Sequence, residues 1–250
     1  MVENVAPPMP MPAEPSGPPA GRWRELALYL LGGFGLFLLV SLALGFVFRD
    51  VNIYASLAIY LANFITFAGS ACYFGVLRPG RTWADFGLRR FDPRWLLAAL
   101  LLAAAVLPLR AGAALLAEAV TGGSLTDMQA RLDIIAPSGP LALNFIVTLL
   151  GVGVLAPIAE EFYFRGLIHR WFRSRFSFWP AVLLSSGIFA LGHFDSIAVV
   201  ASTFILGIVL ALTLERGRSL WLPILIHMIN NSLAVVLLYA VLLIQPRLGG

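Results

Sequence analysis

The chain has 250 residues, of which 60% are hydrophobic and only 12% are charged. An ordinary soluble domain carries about 25% charged residues, so this composition argues against a water-soluble globule. The 17 basic residues are all arginine, and they exceed the 13 acidic ones by a formal charge of +4 without forming a basic face for a nucleic acid. We therefore predict an all-α, polytopic membrane protein of about seven transmembrane helices, with a polar active site among the helices.

The first 24 residues are rich in proline and contain no apolar run. Such a segment cannot bury enough apolar surface to become ordered, so residues 1–24 are predicted to be a disordered cytoplasmic tail. Residues 25–250 are predicted to form a helical membrane domain, because their apolar runs approach or reach the length that crosses a bilayer. The predicted spans are Leu26–Phe48, Ile53–Leu77, Trp95–Ala119, Leu141–Phe164, Trp179–Phe194, Ile197–Leu214 and Leu220–Leu243.

The arginines divide the connecting segments into two groups. Cytoplasmic loops of membrane proteins carry an excess of positive charge, and here the excess falls on alternate segments. Those segments hold thirteen of the 17 arginines, namely Arg22, Arg24, Arg78, Arg81, Arg89, Arg90, Arg94, Arg165, Arg170, Arg173, Arg175, Arg216 and Arg218. The pattern predicts a multi-pass protein of the plasma membrane with a cytoplasmic N-terminus and an external C-terminus.

The stretch from Arg165 to Ser177 interleaves arginines with large apolar side chains. Such a mixture is typical of a helix that lies in the cytoplasmic membrane interface. It is also typical of a plain basic loop, and the two interpretations remain open at this point.

Two adjacent carboxylates, Glu160 and Glu161, lie near the cytoplasmic end of the fourth predicted span. An ionisable group within a bilayer is costly unless it is paired or faces water. Neighbouring helical positions point about 100° apart, whereas positions i and i+4 share a face. Glu161 is therefore expected to pair with Arg165, which leaves Glu160 to accept a proton. Pro157 is expected to kink this helix and to open a wet notch beside Glu160. The alternative is an ion-paired helix end without catalytic function.

Two histidines lie inside other predicted spans. His193 follows Phe189 by one turn in the fifth span, and His227 precedes Asn230 and Asn231 by about one turn in the seventh. Each histidine could equally be a packed core residue, because polar side chains also join helices within membranes. Their occurrence together with the acidic pair favours a shared polar site.

Two chemistries are compatible with this set. In one, Glu160 is a general base that activates water with the help of His193, while His227 and Asn231 donate hydrogen bonds to the oxyanion of a tetrahedral intermediate. In the other, Glu160, His193 and His227 bind Zn²⁺ and leave one position open for water. The zinc motif His-Glu-x-x-His is absent. The residues alone do not choose between the two chemistries.

Three short motifs stand on separate predicted spans. They are Glu-Glu-x-x-x-Arg at residues 160–165, Phe-x-x-x-His at residues 189–193 and His-x-x-x-Asn at residues 227–231. In this combination and order they resemble the signatures of the CAAX-protease and bacteriocin-processing family of intramembrane endopeptidases, also called the CPBP or ABI family. The resemblance covers a core at about residues 141–243.

The resemblance implies an intramembrane endopeptidase that hydrolyses a peptide bond of a membrane-associated protein or peptide. The roles that it implies are Glu160 as the water-activating carboxylate, Glu161 and Arg165 as its supports, His193 as its partner, and His227 with Asn231 as the oxyanion-binding group. Phe189 and Asn230 are expected to support the site. Family members are often called metalloproteases, but we favour a mechanism that requires no cofactor, with Zn²⁺ as the alternative.

Eukaryotic members of that family remove three residues from prenylated CAAX proteins. This substrate is not carried over, because an all-arginine chain with short loops is typical of a bacterial protein. Two other functions also remain open. One is a non-cleaving bacteriocin-immunity or partner-binding protein on the same scaffold, and the other is a small transporter that uses Glu160 as a proton relay.

Three further expectations concern the surroundings of the site. Arg110, within the third span, is expected to be structural and either to pair with Glu118 or to extend outwards to the membrane surface. His169 matches no motif and is placed outside the site. The active site is expected to open on the cytoplasmic side.

Overall fold

The computed structural model describes residues 21–122, 135–136, 140–194 and 196–248, and within these ranges the chain is helical, with no strand. The helices are α1 (Trp23–Val47), α2 (Ile53–Leu77), α3 (Trp83–Phe86), α4 (Arg94–Thr121), α5 (Leu141–Arg173), α6 (Phe178–Leu191), α7 (Ile197–Gly217) and α8 (Trp221–Leu248). The predicted all-α class is confirmed. The predicted tail at residues 1–24 lies outside the described residues as far as residue 20.

All of these helices except α3 and α6 are long and apolar enough to cross a membrane, which makes six in the described part of the chain. Large hydrophobic side chains such as Leu39, Phe46 and Leu97 are exposed on the outside of the bundle. An apolar outer surface of this extent is unusual for a protein in water, whereas in a bilayer it faces lipid. The chain is a multi-pass membrane protein.

The fifth predicted span differs from the expectation. Helix α6 has 14 residues, which correspond to about 21 Å and fall short of the roughly 30 Å hydrocarbon core. The helix ends at Leu191, so His193, predicted inside the span, lies in the turn that follows it. Because α6 stops within the bundle and α7 packs back along it, this turn places His193 among the other helices.

Helix α5 is continuous over 33 residues, but it contains two π-helical segments, Gly151–Leu155 and Glu161–His169. Pro157 lies between them and has no backbone N–H to donate. A π-helical turn leaves room for a missing hydrogen bond and is often found at functional sites. Glu160 is therefore the last residue of an α-helical segment that irregular turns enclose on both sides.

The basic stretch Arg165–Ser177 takes neither of the two forms predicted for it. Helix α5 continues through Arg173, and the side chains of Ile168, Trp171 and Phe172 are buried in the core. These apolar side chains pack against neighbouring helices, so most of the stretch is the C-terminal end of the fourth span. An interfacial helix or a surface loop would leave them in contact with lipid or water.

Glycines allow the helices around the centre of the bundle to approach closely. A Cβ atom on Gly151 of α5 would lie 2.1 Å from the ring of Tyr60 on α2, and one on Gly207 of α7 would lie 3.0 Å from Ser186 Cβ on α6. Helices in a membrane gain little from the hydrophobic effect on associating, so close packing of small residues holds them together. These contacts set the positions of α2, α5, α6 and α7 relative to one another.

The arginine-rich connections meet at one end of the bundle, which we call the arginine face. It comprises residues 21–24, 78–94, 170–178 and 215–221. Hydrogen bonds join its parts, among them Trp171 Nε1 to the Arg22 carbonyl (3.2 Å), Arg170 Nη1 to the Asp85 carbonyl (2.7 Å) and the Leu220 N–H to the Gly87 carbonyl (2.9 Å). The alternating charge of the sequence therefore corresponds to one face of the molecule.

Candidate active site

Side chains from three separate segments converge in the interior of the bundle. Glu160 Oε2 of α5 lies 3.9 Å from Nε2 of His193, which follows α6, and 3.8 Å from Nε2 of His227 on α8. Both distances are too long for a direct hydrogen bond, and they leave room for a water oxygen that contacts both partners. Glu160 Oε2 has no hydrogen-bond partner in the described part of the chain. Three residues, one from each motif, thus lie close together at a single point.

Glu161 lies behind this point and supports it. Its Oε1 atom is 2.9 Å from His227 Nδ1, and its Oε2 atom is 3.1 Å from Arg165 Nε, with all three side chains buried. The i,i+4 pairing with Arg165 is present, and the contact with His227 is additional. The two adjacent carboxylates thus approach opposite nitrogens of the same imidazole ring, Glu161 at hydrogen-bond distance and Glu160 at 3.8 Å.

Arg165 is 2% exposed, so it lies in the interior of the bundle. It is therefore not one of the loop arginines with which the charge pattern of the sequence grouped it. Its Nη2 atom donates to the Gly207 carbonyl at 3.1 Å, and its guanidinium carbon lies 4.3 Å from the ring centroid of Phe189. The Phe189 ring is in turn 4.9 Å from the His193 ring and 5.8 Å from the His227 ring. Phe189 therefore packs against the buried cation and both imidazoles.

The backbone orients His193. Its Nδ1 atom is 2.9 Å from the carbonyl oxygen of Phe189. A carbonyl oxygen can only accept, so Nδ1 carries the proton and Nε2 of the neutral ring is an acceptor. This acceptor faces Glu160, where it can take a hydrogen bond from a water that the carboxylate also contacts.

A cavity of about 520 Å³ borders the cluster. Glu160, His193, His227 and Asn231 are among the residues that line it. Asn231 Nδ2 donates one hydrogen bond to the Val152 carbonyl at 3.2 Å. A side-chain amide has a second N–H, so Asn231 retains a donor for a group in the cavity.

Asn230 does not line this cavity. It is fully buried, and its Nδ2 atom donates to the Ala103 carbonyl on α4 at 3.1 Å. Its Oδ1 atom accepts a hydrogen bond from Arg110 Nη1. The two neighbouring amides of α8 thus have different surroundings, since Asn231 faces the cavity and Asn230 joins α8 to α4.

Arg110 and Asn63 are polar residues beside the cluster that the motifs did not indicate. Arg110 does not extend outwards, since it lines the cavity and its Nε atom donates to Ser202 Oγ at 3.1 Å. Asn63 also lines the cavity. The signal that could have found both is an isolated polar side chain in the middle of an apolar span.

His169, placed outside the site by the sequence, is not part of the cavity lining. Its ring nitrogens lie 2.9 Å from Ser185 Oγ on α6 and 2.9 Å from Glu215 Oε1 on α7. Arg173 Nε approaches the same Glu215 oxygen at 2.8 Å. These contacts join α5 to the α6–α7 pair near the arginine face.

The arrangement of possible metal ligands is relevant to the zinc alternative. In the described ranges, no group of three His, Cys, Asp or Glu side chains is arranged to hold a metal ion. Glu160, His193 and His227, the predicted ligands, are therefore not such a group.

Fold and site together define a helical, multi-pass membrane protein with a buried carboxylate and imidazole cluster. Residues 142–233 match the family model described as Type II CAAX prenyl endopeptidase Rce1-like. This segment contains all three motifs and falls within the predicted core at residues 141–243. The family resemblance inferred from the motifs is confirmed over this part of the chain.

Two curated relatives match part of the chain. An uncharacterized 24.3 kDa protein of Escherichia coli is 34% identical over 97 residues, which are 37% of this chain and 45% of that protein. The protein named "Putative membrane peptidase YdiL" of Bacillus subtilis (strain 168) is 30% identical over 116 residues, which are 46% of this chain and 44% of that protein. The chain spans less than half the length of either relative. No solved structure matches.

Proposed function

We propose that this protein is an intramembrane endopeptidase that hydrolyses a peptide bond of a membrane-associated protein or peptide. The observation that carries the proposal is the convergence of Glu160 with two imidazoles, at 3.9 and 3.8 Å, on the wall of a cavity. The family match over residues 142–233 and the relative named as a membrane peptidase support the same reaction class.

In the first step, a water contacts Glu160 Oε2 and His193 Nε2. Glu160 accepts a proton from this water as the water oxygen attacks the carbonyl carbon of the scissile peptide bond. His193 accepts the second hydrogen bond of the same water and orients its lone pair. The Phe189 carbonyl supports this role because it holds the proton of His193 on Nδ1.

The tetrahedral intermediate carries its negative charge on the former carbonyl oxygen. His227 can donate to this oxyanion from Nε2 when its ring carries both protons, and the Glu161 carboxylate at Nδ1 stabilises that charged form. The free N–H of Asn231 supplies a second donor from the same wall. Glu160 then returns its proton to the departing nitrogen, and the C–N bond breaks.

No cofactor takes part in the proposed reaction, and the substrate reaches the site from the lipid bilayer or from its surface. Glu161 and Arg165 act on this reaction through His227 and are positioning residues. Phe189 packs beneath both imidazoles, and Asn230 anchors α8 to α4. Stoichiometric zinc in purified, active protein would contradict the metal-free mechanism.

The test compares Glu160→Gln with Asp50→Asn, because Asp50 is exposed and does not line the cavity. Protein termini are compared in cells that carry the wild type or either variant. Loss of a general base lowers the rate about 100-fold or more, so new termini should disappear with Glu160→Gln and persist with Asp50→Asn. Both purified variants should unfold at temperatures close to the wild type.

Unchanged termini in cells that carry stable Glu160→Gln protein would contradict the endopeptidase. If that variant also retained protection against a bacteriocin, the non-cleaving alternative would take its place. A pH-gradient-dependent uptake that Glu160→Gln abolishes would instead assign a transporter.

A further inference from the structure

The lining of the cavity extends in one direction from Glu160. On α4 it includes Arg110, Ala114 and Glu118, and the last of these lies one turn before the end of the helix. On α7 it includes Ile197, in the first turn, and Ser202. Helix α4 starts and helix α7 ends at the arginine face, so this part of the lining lies toward the opposite end of the bundle.

Helices α2 and α8 confirm the direction. Tyr60 and Asn63 lie in the half of α2 that is remote from the arginine face. Leu238 of α8 also lines the cavity, and it stands about 26 Å along the helix axis from Trp221 at the arginine face. Four helices thus carry the lining away from the arginine face.

The opposite direction is blocked by packed side chains. Beyond Glu160 toward the arginine face, α5 presents fully or almost fully buried residues. They are Glu161, Tyr163, Phe164, Arg165 and Ile168, each at most 2% exposed. Protein interiors are packed about as densely as organic crystals, so this part of α5 separates the cluster from the arginine-rich loops.

We propose that the substrate enters from the face opposite the arginine face, which the positive-inside rule assigns to the non-cytoplasmic side of the membrane. This direction is contrary to the cytoplasmic opening expected from the sequence. The substrate class follows, on the condition that the proposed peptidase function holds. It is an extended segment of a membrane-anchored protein that lies outside the cytoplasm, close to the membrane.

The size and lining of the cavity favour an extended substrate segment over a folded domain. Its volume of about 520 Å³ lies within the range of small-ligand pockets, roughly 300–1,000 Å³. Most of its lining is apolar, with Arg110 and Glu118 as charged groups on the side of Glu160 that is remote from the arginine face. A few residues of unfolded chain fit such a space, and their backbone can reach the carboxylate.

The test uses single cysteines in the full-length protein after Cys72→Ser removes the native thiol. A membrane-impermeant maleimide is applied to intact cells and to inside-out vesicles. Ala156→Cys reports on the cavity one turn from Glu160, and Arg216→Cys reports on the arginine face. Leu150→Cys is the matched control, because Leu150 lies on the same helix, is exposed and does not line the cavity.

We expect Ala156→Cys to be labelled in intact cells and Arg216→Cys only in inside-out vesicles. Leu150→Cys should remain unlabelled in both, because it faces lipid, where the thiol does not ionise. Labelling of Ala156→Cys only in inside-out vesicles, or in neither preparation, would overturn the proposal. Labelling of Arg216→Cys in intact cells would overturn it as well, since the cavity would then face the cytoplasm.

Labelling does not depend on catalysis, so its failure is separate from failure of the peptidase assignment. The proposed substrate class is tested separately, by the positions of the protein termini whose formation depends on Glu160. These should fall in segments outside the cytoplasm. A set of Glu160-dependent termini confined to cytoplasmic segments would refute the entry side and leave the peptidase function intact.

Discussion

His227 is held between two consecutive carboxylates of α5. Glu161 contacts Nδ1 at 2.9 Å, and Glu160 lies 3.8 Å from Nε2. Glu161 in turn pairs with Arg165, which is buried and lies over the Phe189 ring. A buried charge is tolerated when it is paired and hydrogen-bonded, so the four side chains around His227 form one interdependent unit.

This dependence predicts a large loss of stability for Arg165→Met. The change leaves Glu161 buried without its cation, which should lower the free energy of unfolding by about 3–5 kcal/mol. The control is Arg173→Met, because Arg173 also pairs with a glutamate but is 34% exposed. Its loss should cost about 1 kcal/mol or less. Denaturant unfolding in detergent micelles measures both, and equal losses would contradict the assignment.

At the scale of elements, the position of Glu160 depends on how closely α5 approaches α2. Gly151 packs against the ring of Tyr60, and Tyr60 also lines the cavity. The π-helical segment that starts at Gly151 carries the chain to Glu160 two turns later. A displacement of α5 relative to α2 at this contact would therefore move both the cavity wall and the Glu160 carboxylate.

Gly151→Ala should lower both stability and peptidase activity. Its Cβ atom would lie 2.1 Å from Tyr60 Cδ2, and overpacking of this kind typically costs about 1–3 kcal/mol. The control, Gly112→Ala, adds a Cβ atom to α4 with nothing within 4 Å. It should stabilise the protein by about 0.4–1 kcal/mol. Thermal unfolding and cleavage of a substrate identified from the Glu160-dependent termini check both variants. A Gly151→Ala protein as stable and as active as the wild type would show that the contact is dispensable.

For the whole molecule, the arginine face predicts the orientation in the membrane. Its connections are joined by hydrogen bonds between α1, α5, the α2–α4 connection and α8. Moving a charged face across a bilayer is costly, so we expect the arginine excess to favour one orientation.

Reporter fusions test this orientation. A reporter that is active only outside the cytoplasm should be active at the C-terminus of the full-length chain and inactive at its N-terminus. A cytoplasm-dependent reporter should give the reverse pattern. Activity of the first reporter at the N-terminus would place the arginine face outside and contradict the predicted topology.

Much of this arrangement could be predicted from local features. The spacing of Glu161 and Arg165 predicted their ion pair, and the three motifs selected residues that do converge. Arg110 was treated as unrelated to the site, because nothing in its own segment indicates that α4 packs against α7 and α8. For the same reason the contact between Glu161 and His227 was not foreseen, since 66 residues separate them.

The sequence by itself determined that the chain is helical, that it crosses a membrane several times and which loops share a side. These properties follow from the free energy of transferring each residue from water to lipid. Such free energies add along the chain and do not depend on which helices pack together. The tertiary structure decided the short length of α6, the position of His227 between the two carboxylates and the direction of the cavity. Each of these depends on which helices pack together and how closely, and close packing is a property of pairs of distant residues.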